Sequence, residues 1–139
     1  MRVYLNKQSR VSRPSSFERG SAPAEFVLVS TVLVALVLGI IHVSLVAHTK
    51  SILQASAWEG ARYASYYDTS DMDGAALTQR LIREALGSEH RASLSVEHVD
   101  IAGQAGVSFT LESAVPTVGW WSPGGEIVVE AAIPYEQPR

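Results

Sequence analysis

From Phe26 to Ala47 the chain reads FVLVSTVLVALVLGIIHVSLVA, 22 residues without a single Asp, Glu, Lys or Arg. At ~1.5 Å per residue a helix of that length covers about 33 Å, close to the ~30 Å hydrocarbon thickness of a bilayer. The nearest formal charges are Glu25 and Lys50. The apolar part of a cleavable secretory signal is shorter, roughly 7 to 15 residues ahead of a small-residue cleavage site, so the run predicts one signal-anchor helix. Its flanks orient it: Arg2, Lys7, Arg10, Arg13 and Arg19 precede the run, whereas the only Lys or Arg between His48 and Tyr67 are Lys50 and Arg62. The positive-inside rule then places the N-terminus in the cytoplasm and everything after about Lys50 on the far side of the membrane.

Charge supports this division. The chain carries a net −3 over 139 residues, but residues 1–20 hold +4 and the remaining 119 hold −7. An acidic outer part argues against nucleic acid as a partner. The chain has no cysteine, which excludes a disulfide framework, a thiol nucleophile, an iron-sulfur cluster and any Cys-ligated zinc finger, and leaves the compartment to be decided by topology.

Three segments follow from the pattern. Residues 1–20, rich in Ser and Arg and without a sustained apolar period, read as a disordered basic cytoplasmic leader. Residues 21–67 read as a transmembrane helix that continues outward, since SILQASAWEGARYASYY (51–67) contains no proline. Ala57, Gly60, Ala61, Ala64 and Ser65 make one side of that extension small enough for another helix or a sheet to approach closely, and Trp58, Tyr63, Tyr66 and Tyr67 are expected to pack into the outer domain. Residues 68–139 read as a small extracytoplasmic α+β domain. In it DTSDMDG (68–74) is a turn with an N-cap, and a helix over 75–87 carries Leu77, Leu81 and Ala85 on one stripe, widened by Ile82 and Leu86, with Gly87 as C-cap. A roughly three-stranded antiparallel sheet follows. Its first strand holds Leu94 and Val96, then Val99 and Ile101, with a bulge at the phase change. The second holds Val107, Phe109 and Leu111, the third Ile127, Val129, Ala131 and Ile133, and GQAG (103–106) and VGWWSPGG (118–125) connect them. A domain of about 70 residues is small for a core of its own and needs the long helix or neighbouring subunits to pack against.

The chemistry-bearing residues point away from catalysis. His42, His48, His90 and His98 form no HExxH or closely spaced pair, the Glu-His dipeptides at 89/90 and 97/98 stand alone, and GxSxG, Walker and GxGxxG motifs are missing. No metal or cofactor is implied. Asp71 and Asp73 alternate as in a calcium loop, but the other acidic ligands and the closing Glu are absent. His42 is a polar residue within the span and a candidate for helix-helix hydrogen bonding. Trp120 and Trp121, if exposed, could anchor an interface.

Glu25 is the most informative residue. A carboxylate at the mouth of an apolar span costs up to about 3 kcal/mol if drawn to the bilayer centre, and insertion does not need it. Gly20 precedes Ser21, Ala22, Pro23, Ala24, Glu25 and Phe26, so cleavage after Gly20 would leave glutamate as the fifth residue of the mature chain. This arrangement resembles the processing site of type IV prepilins, in the G-xxxx-E-[YF] form of the tight-adherence pilus systems. ERGSAPAEFVLV (18–29) resembles the start of TadE-like pilus assembly proteins, and ASAWEGARYAS (55–65) resembles their Gly-Ala-Arg segment. The resemblance covers about residues 18–65 and departs from the family at Ser30 or Thr31, where many members have proline, and at His42, where they often have glutamate. It implies a minor pilin or pseudopilin acting by assembly: a substrate of a membrane-embedded prepilin peptidase, not itself an enzyme, with other pilus subunits as partners. The processing site would be Gly20, Ser21 and Glu25. Helix packing and assembly would fall to Glu25, Phe26, Gly39, His42, Ala57, Gly60, Ala61 and Arg62. The alternative from another class is an uncleaved signal-anchored binding module or membrane scaffold.

Overall fold

Helix α1 (Ser21–Ala64) opens the part of the chain that the computed structural model describes, residues 21–117 and 124–136. Pro23 falls in its first turn, where a missing N–H costs nothing and the fixed φ suits the helix. Its end is closed by side chains. Ser65 Oγ donates to the Arg62 carbonyl at 2.8 Å, and Thr69 Oγ1 donates to the carbonyls of Tyr66 and Tyr63, which occupies acceptors that a helix terminus otherwise leaves to water. The chain divides into two compact units, Met1–Leu38 and Gly39–Arg139.

In the second unit, Ser70 caps helix α2 (Asp71–Leu86) in a reciprocal box. The Asp73 amide donates to Ser70 Oγ at 3.2 Å, and the Ser70 amide donates to Asp73 Oδ2 at 3.1 Å. The helix stops at Gly87, whose φ of 88° suits glycine and whose N–H reaches the Arg83 carbonyl,. Two expectations change here. The segment 71–74 belongs to α2 and not to the preceding turn, and the buried stripe is Gly74, Thr78 and Ile82, with Leu77 and Leu81 only half-buried and Ala85 exposed. The reason is the approach to α1. A Cβ at Gly60 would fall on Thr78 Oγ1 and lie 2.8 Å from the Gly74 carbonyl oxygen; one at Gly74 would lie 2.5 Å from the Gly60 carbonyl oxygen and 2.7 Å from Ala64 Cβ. The backbones touch through two glycines, and that contact sets the rotation of α2.

Strands β1 (Ala92–Ile101), β2 (Gln104–Ala114) and β3 (Glu126–Pro134) form one antiparallel sheet in that spatial order. Val107, Phe109 and Leu111 lie opposite Ile133, Ala131 and Val129, and they point inward as their alternation predicts. β1 holds no bulge: its register with β2 advances without a break from Ala92↔Ser113 to Ile101↔Gln104. The apolar residues change face instead. Leu94 and Val96 share the inner face with Leu111 and Phe109, whereas Val99 and Ile101 lie on the outer face, where the Ile101 side chain covers Gly106. The β1–β2 connection is also tighter than expected, a two-residue turn at Ala102 (φ 55°) and Gly103 (φ 86°), so that Gln104–Gly106 belong to β2. Positive φ at both central residues is what the right-handed twist of a hairpin favours.

The core joins Phe109, Val107 and Leu111 to Ile127, Val129, Ala131 and Ile82, and to Leu53, Ala57, Ala61 and Ala64 of α1. The small domain thus completes its core with the long helix. Trp58 (49% exposed), Tyr63, Tyr66 and Tyr67 (73%) do not join it. They project from the other faces of the same helix and its C-terminal turn, and only Tyr63 and Tyr66 meet, edge to face at 6.3 Å.

Candidate functional site

Between Ser21 and Leu38 the described structure is helix throughout. Ser21 is its first residue, Glu25 stands about one turn in and is exposed, and Phe26 is 73% exposed. Gly20 lies outside the described residues, as do Trp120 and Trp121. The helix is long and apolar enough to cross a membrane. Thr31 Oγ1 and Ser44 Oγ donate to the carbonyls of Val27 and Ile40, at 2.8 and 2.9 Å. Hydroxyls satisfied four residues back need no water, as an apolar surrounding requires.

Within Gly39–Arg139 the remaining candidates separate. Gly39 is exposed, and a Cβ there would meet nothing within 4 Å. His42 is 9% exposed and begins a buried stripe that continues through Thr49, Leu53, Ser56, Ala57, Gly60, Ala61 and Ala64. Ala57, Gly60 and Ala61 are therefore brought together, and the close approach their size permits is taken by α2 and the sheet of the same chain. Arg62 is turned away. With Trp58, Ser65 and Tyr66 it lines a groove whose other wall is Ala132–Pro134 and Glu136.

Two polar clusters were not apparent in the sequence. At one end of the sheet the Tyr135 hydroxyl donates to Asp71 Oδ1 at 3.0 Å, while His98 Nε2 stands 3.0 Å from Asp71 Oδ2. This links the start of α2, β1 and the segment after β3. Desolvation first, and the Asp71 carboxylate second, push the Tyr135 hydroxyl up to about 12. In the capping box, the hydrogen bonds from Ser70 hold Asp73 below the ordinary carboxylate value. At the other end of the sheet Ser113 Oγ and His90 Nε2 are 2.8 Å apart. Among the described residues no three His, Cys, Asp or Glu side chains converge as metal ligands.

The chain matches no curated protein and no solved structure. A family match exists for most of α1 and the residue before it: residues 20–62, from Gly20 through Glu25 to Gly60, Ala61 and Arg62, match the model of the TadE-like protein family.

Proposed function

We propose that this chain is a TadE-like minor pilin or pseudopilin, a single-pass subunit that works in pilus assembly through its N-terminal helix. One observation carries the reading: residues 20–62, with Gly20, Glu25 and Gly60-Ala61-Arg62 in order, match the TadE-like family model, and the described residues are helical from Ser21 onward. A cut after Gly20 would therefore leave a chain that is helical from its first residue, with Glu25 about one turn in. The N-terminus lies in the cytoplasm before cleavage and the β-sheet domain lies outside. A membrane-embedded prepilin peptidase makes the cut, and other pilus subunits or Tad assembly proteins are the partners.

The new amine of Ser21 would then be a cation next to apolar helices, where an unpaired charge is costly. Glu25 of an adjacent subunit neutralises it and sets the helix register between subunits. The first test is the intact mass and N-terminal sequence of the protein from membranes of its own host, with and without the peptidase. A chain starting at Ser21 only when the peptidase is present supports the reading; one starting at Met1 in both refutes processing and favours the uncleaved scaffold. Glu25→Ala is expected to insert normally and to lose co-purification with other pilus components, and unchanged co-purification would remove the pairing.

A further inference from the structure

The register of the sheet fixes which backbone groups of β3 stay open. The Tyr135 amide donates to the Ala105 carbonyl and the Val115 amide to the Gly125 carbonyl, so the hydrogen-bonded pairs of β2 with β3 are the odd-numbered ones, Val107↔Ile133 through Ser113↔Ile127,. The amide and carbonyl of each even-numbered residue of β3 then point away from β2. Glu136 obeys the same rule, and its amide reaches the Ser65 carbonyl of α1 at 3.0 Å. Ahead of that tie, Val128, Glu130 and Ala132 turn their amides and carbonyls toward a side of the sheet where no described strand lies. Such a row is a template for another strand. Pro134, without an N–H, blunts it only at its last position.

The helices leave room for one strand there. α2 packs toward β1 and α1 toward β3. Two helices side by side are about 20 Å wide, with axes ~8–10 Å apart and a diameter of ~10–12 Å, whereas three strands at ~4.8 Å span about 14 Å. The overhang falls beside β3 as a groove of ≈ 540 Å³, with Trp58, Arg62, Ser65 and Tyr66 on one wall and Ala132–Pro134 with Glu136 on the other. A second copy fits it poorly, because each edge of its sheet comes with a helix, α2 at β1 or α1 at β3, that would meet Trp58. A lone extended segment brings no helix.

Charge sets the side chains of that segment. The outward positions of the three strands hold Glu97, Glu112, Glu126 and Glu130 and no Lys or Arg. A strand beside β3 lies opposite Glu126 and Glu130, where basic side chains are favoured and acidic ones are penalised. Its inward side chains, ~6.6 Å apart, match Trp58 and Arg62, which lie one turn or ~6 Å apart along α1. Arg62 has no ion pair among the described residues. An apolar side chain on Trp58 followed by a carboxylate at Arg62 completes the fit.

We propose that the open edge of β3 accepts a fourth strand from a partner protein, an extended segment with basic side chains outward and an apolar and an acidic side chain inward. This interface belongs to the outer domain and is independent of processing at Gly20. The probe is the capped peptide Lys-Glu-Lys-Val-Lys-Glu-Lys, which reads the same in both strand directions, added to the full chain in detergent while amide hydrogen exchange is followed by NMR. Without peptide, the amides of Val128, Glu130 and Ala132 are expected to exchange freely and those of Val129 and Ala131 slowly. At ten times its Kd the peptide should slow the first three about tenfold. A132P removes one open amide, leaves the bonds to β2 in place and should lose this protection. E126K/E130K should lose it too and recover it with a peptide carrying glutamate for each lysine, which keeps the test decisive if A132P does not fold. The original peptide N-methylated at alternate residues should not protect. Equal exchange with and without the peptide, protection by the N-methylated form, or protection retained in E126K/E130K would overturn the proposal. Val128, Glu130 and Ala132 amides already slow in the native chain, and slower at higher protein concentration, would assign the edge to a second copy and overturn it as well.

Discussion

Replacing Gly74 with alanine tests the packing that holds α2 to α1. In a solvent-exposed helix this change stabilises by about 1 kcal/mol, because alanine loses less backbone freedom. Here the new Cβ would lie 2.5 Å from the Gly60 carbonyl oxygen, 2.7 Å from Ala64 Cβ and 3.1 Å from Phe109 Cζ. The first two are backbone or backbone-fixed atoms that cannot rotate away. Relief requires α2 to move out by roughly 0.7 Å, and a gap of that size forfeits a quarter to a half of the dispersion contact across the interface. Overpacking of this kind costs about 1–3 kcal/mol. With the least yielding neighbours the upper half of that range applies, so the net loss after the propensity gain is about 1–2 kcal/mol, or a Tm lower by roughly 5–15 °C for a domain of this size. The assay is thermal unfolding of the full chain in detergent, followed by near-ultraviolet circular dichroism. Gly39→Ala is the control, since it has the same propensity gain and nothing within 4 Å to strike, and its Tm should stay or rise. A Gly74→Ala protein as stable as the native chain would refute the glycine-to-glycine approach of the two helices.

Removing the N-cap with Ser70→Ala should cost about 1 kcal/mol, seen as a lower Tm at neutral pH. Asp73 sits below its ordinary value, so the stability it adds is present above pH ~4 and is lost as pH falls through the depressed value; in Ser70→Ala this acid-limb loss should shrink. Tyr135 has its hydroxyl raised to about 12, so the folded state holds that proton more tightly than the unfolded chain does. Its contribution is complete below pH ~10 and is lost as pH rises through 12; Tyr135→Phe should flatten that alkaline limb in a pH series of Tm values. Ala102, at φ 55°, occupies a conformation that costs an L residue about 1 kcal/mol, and Ala102→Asn, which builds the favoured Asn-Gly turn, should raise Tm by a few degrees without changing the register.

The alternation of Val107, Phe109 and Leu111 and that of Ile127, Val129 and Ala131 were readable because a half-buried strand repeats every two residues and both strands keep one phase throughout. β1 was harder. Its apolar residues change face after Val96, and a phase change can mean an inserted residue or a change in what each face covers; only the pairing with β2 distinguishes them. The start of α2 was hidden by Gly74, which weakens a helix locally and is required by a neighbour distant in sequence. Trp58 and the tyrosines were expected to pack into the outer domain because they lie beyond the apolar span, yet the inward positions of α1 are set by where small residues allow approach. At the N-terminal helix the order Gly20, Glu25, apolar span and Gly60-Ala61-Arg62 was legible because it is local. The pairing of Ser113 with His90 was not, because the two residues are 23 apart and meet only once the sheet has formed.

The faces of α1 between Gly39 and Ala64 serve separate ends. Thr49, Leu53, Ala57, Gly60 and Ala61 are used by the chain's own domain, and enlarging any of them strains the fold before it touches a partner. A lost pilus phenotype from Gly60 or Ala57 would therefore report misfolding and say little about assembly. Gln54, Trp58 and Arg62 lie on the outward side of the same turns, and their side chains can be cut back without opening the core. If α1 mediates contact between subunits above the membrane, these outward residues must carry it, since the inward stripe has no surface left to give. A variant at Trp58 or Arg62 that keeps the native Tm and loses co-purification would locate the contact. Native stability together with native co-purification throughout that face would confine assembly to the apolar segment before Lys50.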